Sequence, residues 1–182
     1  MPQSFDLYFV SSNSNKFHEA KQILEDFKIN LGFFKCELEE IQSTSLLEIA
    51  RSKAIQAFKK CKNPIIVEDD GLSIDSLNGF PGPYSSYVFN TIGNKGILKL
   101  LKQNRTAKFI SIISFLDEKN FEFFESKVSG IISNKIIGKG WGYDPIFIPS
   151  RSKKTFAQLK NKNKLSHRFK ALKKFSNWYL GK

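Results

Sequence analysis

The sequence predicts an α/β protein with a mixed β-sheet and flanking helices, and three observations carry that reading. Residues 5–10 form an apolar and aromatic run of strand length, followed by polar Ser11-Ser12-Asn13-Ser14-Asn15. Phe17, Ala20, Ile23, Leu24 and Phe27 then recur at helical spacing, and Leu46, Leu47, Ala50, Ala54, Ala57 and Phe58 repeat that pattern before a short buried strand at 64–67. Farther on, two long strand-like runs, 108–116 and 121–132, are separated only by Asp117-Glu118-Lys119-Asn120. Strands alternating with helices make parallel neighbours, and a hairpin makes antiparallel ones, so one sheet holding both is mixed.

The remaining elements follow in order. Asn13 or Ser14 is available to cap the first helix. Asn78-Gly79-Phe80-Pro81-Gly82-Pro83 holds Gly and Pro too densely for a regular element and reads as turns. Ile97, Leu98, Leu100 and Leu101 predict a third helix. Gly138, Gly140 and Gly142 make a loop around Trp141, and Pro145 and Pro149 bracket an apolar Ile146-Phe147-Ile148. A last helix begins at Ser166, a good N-cap, and turns Phe169, Leu172, Phe175 and Tyr179 inward. No repeat or linker interrupts the 182 residues, so residues 1–182 are read as a single domain.

Composition excludes several classes. No apolar run approaches the roughly 20 residues of a membrane-spanning helix. Met1-Pro2-Gln3-Ser4-Phe5-Asp6 lacks the basic flank and apolar stretch of a secretory leader. Cys36 and Cys61 have no metal-ligand spacing and read as reduced core thiols. The expected setting is therefore cytoplasmic. The net charge of +12 is unevenly placed: residues 151–182 carry eleven Lys or Arg and no acid, whereas residues 1–150 carry 18 basic and 17 acidic groups. Such a segment fits a polyanionic partner: phosphates, nucleic acid or an anionic surface. It also fits the lysine-rich bias of a chain with 25 Lys to 4 Arg.

Four groups of residues carry candidate chemistry. Glu68, Asp69 and Asp70 are adjacent carboxylates at the end of a buried strand. They are either a charged surface turn or a site whose repulsion a divalent cation relieves. The second reading gains from position, since open α/β sheets bind ligands beyond the carboxyl ends of their strands. Glu39-Glu40 adds a second acidic spot. Ser11 to Lys16 offer hydroxyls, an amide, helix N-terminal N–H groups and a lysine, all suited to an anion, although no Walker A glycines are present. Ser166-His167-Arg168 opens a helix with basic residues that oppose the helix dipole, so helix stability does not account for them. A basic surface turn is the competing reading. His18 falls on the polar side of the first helix and reads as solvated.

Five ordered motifs resemble the inosine triphosphate pyrophosphatases, also called the non-canonical purine nucleoside triphosphate or dITP/XTP pyrophosphatases. They are Ser11-Ser12-Asn13-Ser14-Asn15-Lys16, Val67-Glu68-Asp69-Asp70-Gly71-Leu72, Gly79-Phe80-Pro81-Gly82-Pro83-Tyr84, Gly140-Trp141-Gly142-Tyr143-Asp144-Pro145-Ile146-Phe147 and Ser166-His167-Arg168. The resemblance implies two lobes around a substrate cleft, a homodimer, and Mg²⁺-dependent cleavage of a purine nucleoside triphosphate between its α and β phosphates. It implies Asp69 as the general base and a metal ligand, and Glu40 as a second metal ligand. It implies that Ser11, Ser12, Asn13, Ser14, Asn15, Lys16, Asp70, Trp141, Gly142, Tyr143, Asp144, Lys162, His167 and Arg168 bind substrate.

The chemistry is consistent with that implication. An aromatic ring stacks on any purine, so selectivity needs hydrogen bonds. Arg168 only donates, which suits the 6-carbonyl of hypoxanthine or xanthine and opposes the amino group of adenine. Three positions depart from the family. Asp70 stands where a small hydroxyl residue is usual, Trp141 where Phe is common, and Ser85-Ser86-Tyr87-Val88 lacks an arginine often found after the tyrosine. The alternatives are nucleic-acid binding by the basic tail, a pyrophosphatase of the related septum-inhibition family that prefers modified pyrimidines and lacks the Ser-His-Arg ending, and a catalytically impaired, nucleotide-binding homologue.

Overall fold

The computed structural model describes residues 4–181. Met1, Pro2 and Gln3, where the leader reading begins, and Lys182, the last residue of the expected domain and of the basic tail, lie outside the described residues. The elements run β1 (Leu7–Ser11), α1 (Ser14–Glu25), β2 (Leu31–Lys35), α2 (Leu46–Cys61), β3 (Ile65–Ile74), β4 (Pro81–Gly82), α3 (Ser85–Thr91), α4 (Gly93–Leu100), β5 (Thr106–Leu116), β6 (Phe121–Ile132), β7 (Phe147–Pro149) and α5 (His167–Leu180). Seven strands form one sheet in the order β2-β1-β3-β5-β6-β7, with β4 paired to β3. β1 is parallel to β2 and to β3, whereas β4 against β3 and β7 against β6 are antiparallel. The mixed α/β class is as expected. Among the described residues no helix is long and apolar enough to cross a membrane.

The chain divides into two compact units, one of residues 1–69, 111–126 and 168–182 and the other of residues 70–110 and 127–167. The first unit has two apolar clusters. In one, Leu7 and Phe9 of β1 pack with Ile23 and Leu24 of α1, Phe115 of β5, and Leu172 and Phe175 of α5. In the other, Val10 and Val67 meet the alanine stripe of α2, Ala54 and Ala57, with Cys61 buried there and Cys36 at its margin. The second unit closes around Leu72, Ile74, Phe109, Val128, Ile146, Phe147 and Phe156. Gly130 of β6 lies opposite Pro149 of β7, and a Cβ on it would come within 2.3 Å of the Ile148 carbonyl oxygen, so only glycine permits that pairing.

The structure departs from the sequence reading at four elements. Within residues 78–83, read as turns alone, Pro81 and Gly82 form β4, because they pair with Ser73 and Leu72 of β3. β3 does not end at Val67 but continues to Ile74, because Leu72 and Ile74 are both buried and residues 72 and 73 pair with β4. The three carboxylates therefore lie inside a strand, and alternation along it turns Asp69 to the face opposite Glu68 and Asp70. β2 was not expected. Its Gly32 sits against Tyr8 and Phe5, where a Cβ would approach the Tyr8 ring to 2.7 Å, so close strand contact takes the place of alternating pattern. α3 also escaped notice, since only Ser85 and Val88 of its seven residues are buried and Tyr87 is exposed.

Candidate active site

The loop after β1 is built by its own hydrogen bonds. Asn13, whose backbone is extended, caps α1: its side-chain oxygen accepts from the N–H groups of Asn15 at 3.0 Å and Lys16 at 3.3 Å. Ser11 Oγ accepts from Asn13 N–H at 3.0 Å. Ser12, Ser14 and Asn15 are exposed, and Lys16 is half-buried with its Nζ 3.4 Å from the Glu68 carbonyl oxygen. Capping by Asn13 is one of the two options that the sequence left open. The loop thus holds exposed hydroxyls, an amide and a lysine at the start of a twelve-residue helix. That combination favours anions.

Asp69 is 5 % exposed, and its Oδ1 lies 2.6 Å from Lys53 Nζ. The same ammonium reaches Glu40 Oε1 at 2.8 Å, so Glu40 and Asp69 converge on one cation. Asp69 Oδ2 is buried without a hydrogen-bond partner among the described residues. Burial pushes the Asp69 carboxyl above its ordinary range, against the pull of Lys53 and Lys16. Burial also works against the Lys53 charge, but Asp69 and Glu40 outweigh it and hold the ammonium above its ordinary range. Burial thus disfavours the ionised form of Asp69, while the neighbouring carboxylates favour the charged form of Lys53. A carboxylate with one oxygen fixed and one buried oxygen unsatisfied is suited to accept a proton or to bind a cation.

Sequence reading missed Lys53, although its signal was present. Ala50, Ala54 and Ala57 mark the buried face of α2, and residue 53 falls at i+3 on that same stripe, where a lysine needs a carboxylate.

Ser166 and His167 are buried, and Arg168 has no exposure, which removes the surface-turn reading. Arg168 lies in the first turn of α5 and donates from Nε to Glu68 Oε2 at 2.6 Å, while its NH1 contacts Glu19. Ser111 Oγ donates to the other Glu68 oxygen at 2.8 Å. The carboxylates of Glu68 and Glu19 thus offset the clash of this cation with the helix dipole. The sequence reading turned the Arg168 donors toward a purine; here two of them face carboxylates. Glu19 and Ser111 carried no signal, lying 149 and 57 positions away in the chain.

In the second unit, Lys162 Nζ is 2.6 Å from Asp144 Oδ2 and 5.2 Å from the centre of the Trp141 ring. Tyr143 is buried and donates its hydroxyl to the Ser85 carbonyl at 2.8 Å, and burial holds that hydroxyl well above the usual tyrosine range. Gly142 has a φ of 59°, and its carbonyl accepts from Asn94 Nδ2 at 3.1 Å. These contacts hold the loop so that Trp141 stays partly exposed. The His167 imidazole stacks on Phe109 at 4.4 Å with 9° between planes, and its Nε2 is 3.7 Å from Asp70 Oδ2. His18 is exposed, as expected.

The Ham1 family model matches residues 7–178. The chain belongs to the Ham1 family. It is 48 % identical over 177 residues to a dITP/XTP pyrophosphatase of Methanopyrus kandleri, covering 94 % of each chain, and 45 % identical to one of Saccharolobus solfataricus, covering 93 % of this chain and 91 % of that one. A Ham1 protein structure from Coxiella burnetii superposes with a TM-score of 0.86 at 27 % identity, covering 98 % of this chain and all of the other. The resemblance drawn from five motifs thus extends to Ham1 relatives matched along nearly the whole chain.

Proposed function

We propose that this Ham1 protein hydrolyses the purine nucleoside triphosphates ITP, dITP and XTP to the monophosphate and pyrophosphate, in a Mg²⁺-dependent reaction that clears deaminated purines from the nucleotide pool. The observation that carries the reading is Asp69: a buried carboxylate with Oδ1 held by Lys53 and Oδ2 unsatisfied, beside the capped, lysine-bearing loop of residues 11–16. Relatives named dITP/XTP pyrophosphatase at 48 % and 45 % identity support the substrate class.

Water attacks the α-phosphorus, the α–β anhydride bond breaks, and pyrophosphate leaves with the electron pair of that bond. Asp69 takes the proton from the attacking water. Lys53 keeps the carboxylate ionised and aimed. Lys16, the loop hydroxyls and the α1 N–H groups bind phosphate oxygens.

The donor set of Glu40 and Asp69 suits Mg²⁺, being all oxygen and already converging on a single positive charge. Bound there, the ion supplies charge neutralisation of the triphosphate. In the second unit, Trp141 stacks on the purine, with Gly142, Tyr143 and Asp144 fixing its loop and Lys162 alongside. His167 and Arg168 supply donors for the 6-carbonyl, and for this the Arg168 guanidinium exchanges a carboxylate for the base. Asp70 acts through His167. A cytoplasmic homodimer completes the proposal.

The test is pyrophosphate release from a panel of ITP, dITP, XTP, ATP and GTP with Mg²⁺. Fast release from the first three and slow release from ATP and GTP is expected. Orthophosphate as the first product, or equal rates on ATP and ITP, rejects the reading.

A further inference from the structure

Residues 127–167 carry nine Lys or Arg and a single acid, Asp144, a net of +8. That acid is already engaged, since Lys162 lies 2.6 Å from it. Lys135, Lys139, Lys153, Lys154, Lys160 and Lys164 are all exposed. Although spread over thirty positions, they belong to segments fastened to one another. Thr155 Oγ1 donates to the Ile137 carbonyl at 2.9 Å, and Ala157 N–H donates to the Asp144 carbonyl at 3.2 Å. Gly138 and Gly140 flank Lys139 and pass so close to Ala157 that a Cβ on either would lie 3.1–3.2 Å from the Ala157 methyl. Lys160 and Lys164 sit on either side of Lys162, whose ammonium packs over Trp141. The positive charges therefore lie on segments fastened to the loop that carries Trp141, and the one described acid in this stretch is already paired.

We propose that these exposed lysines form a steering surface for the polyanionic nucleotide, raising its encounter rate with the Trp141 loop without taking part in the chemical step. The proposal rests on the functional reading above. A patch of one sign next to a binding loop raises the local concentration of an oppositely charged ligand, and association accelerates by about 10–10³-fold in strong cases. The effect fades with salt, because the screening length falls from about 30 Å at 0.01 M to about 8 Å at 0.15 M. Nucleic acid is the competing occupant. The placement favours the nucleotide, because the charges are tied to the same loop as Trp141 instead of standing on an independent arm.

The experiment is the salt dependence of pyrophosphate release from ITP, at fixed Mg²⁺, by wild type and by the Lys153→Gln/Lys154→Gln/Lys160→Gln/Lys164→Gln variant. All four side chains are exposed, and none has been placed in the catalytic machinery. At low salt the variant should lose about 3–10-fold in kcat/KM with kcat within about twofold, and its kcat/KM should vary less with salt. A second variant neutralises four exposed lysines of the first unit, Lys28, Lys59, Lys170 and Lys173, and should behave like wild type. Superimposable salt curves overturn the proposal, as does an equal loss in both variants, which would make net charge the cause. Salt-sensitive binding of a short thymidine oligonucleotide that is lost in the first variant, with kcat/KM unchanged, reassigns the surface to nucleic acid. Failure of wild type to release pyrophosphate from ITP rejects the functional reading instead, so the two failures are distinguishable.

Discussion

Arg168 Nε and Glu68 Oε2 are 2.6 Å apart, and neither side chain has any solvent exposure. The pair joins the first turn of α5 to β3, two elements separated by 100 positions in the chain. A guanidinium offers several donors in a fixed plane, which lets it serve Glu68 and Glu19 together. Ser111 satisfies the second Glu68 oxygen, so the buried charges are hydrogen-bonded as well as paired.

Arg168→Ala is therefore expected to destabilise the protein as well as alter its kinetics. It leaves Glu68 buried as an uncompensated carboxylate, a change that typically costs about 3–5 kcal/mol. Urea denaturation without nucleotide measures it. A loss below about 1 kcal/mol would show that the network relaxes without its cation.

Lys53→Gln tests the other buried pair. The lysine separates two carboxylates that would otherwise repel, and it fixes Oδ1 of Asp69, opposite the unsatisfied Oδ2. Hydrogen bonds to charged groups contribute about 1.5–3 kcal/mol, so kcat should fall by roughly 10–150-fold. The folded ammonium is held above its ordinary value of 10.5. Its contribution to stability is thus fully present below that value and is lost only as pH rises through the raised one. Wild-type stability should show no lysine-linked loss at neutral pH, and Lys53→Gln should narrow its gap from wild type only in strongly alkaline buffer. A gap that closes near neutrality contradicts the assignment.

How much of this was legible in the chain follows from what each residue's signal depends on. α1 and α5 were readable because their apolar residues recur at 3.6-residue spacing next to a capping residue, a local pattern. β2 was not, because Leu31-Gly32-Phe33-Phe34-Lys35 has neither alternation nor turn residues at both ends, and its strand character comes from Leu31 pairing with Leu7. The carboxylate triplet was found as a feature but misplaced at a strand terminus, since only the burial of Leu72 and Ile74 shows that the strand continues. The half of the site around Asp69 was named without Lys53, whose place on the alanine stripe of α2 was the missed clue. The Arg168–Glu68–Glu19 network depends on contacts made only once the sheet has formed, so no local pattern announces it.

Asp69→Asn separates function from stability. Removing the base should cut turnover by about 10²–10⁴-fold. Burial raises the native carboxyl above its ordinary value of 3.8. The native state then holds the proton more tightly than the unfolded chain, so Asp69 lowers stability as pH rises from about 3.8 through the raised value. With a chelator present, the asparagine variant should gain in Tm relative to wild type across that window. Parallel Tm curves, or a variant that loses ground as pH rises, contradict the sign.

Asp70 is where the chain leaves its family's pattern, and the structure changes what substitution there should do. A carboxylate repels a triphosphate, so sequence alone expects Asp70→Ser to leave KM unchanged or lower it, with more Mg²⁺ needed for half-maximal rate. In the structure the Asp70 carboxylate faces His167 Nε2 at 3.7 Å, and its side chain is only 18 % exposed. The Phe109 ring stacks on the imidazole and sets its plane but not its rotation within that plane. Asp70 adds a constraint on that rotation, and serine is too short to replace it. A polar contact at a partly solvated site contributes about 0.5–1 kcal/mol, so KM for ITP should rise by roughly 2–5-fold in Asp70→Ser, with kcat within about twofold. The Mg²⁺ titration should superimpose on wild type. Asp70→Asn keeps an oxygen at the same reach and should recover part of the KM, which a purely electrostatic role would not allow. A shifted Mg²⁺ midpoint with unchanged KM would instead place Asp70 on the metal and reject its role beside His167.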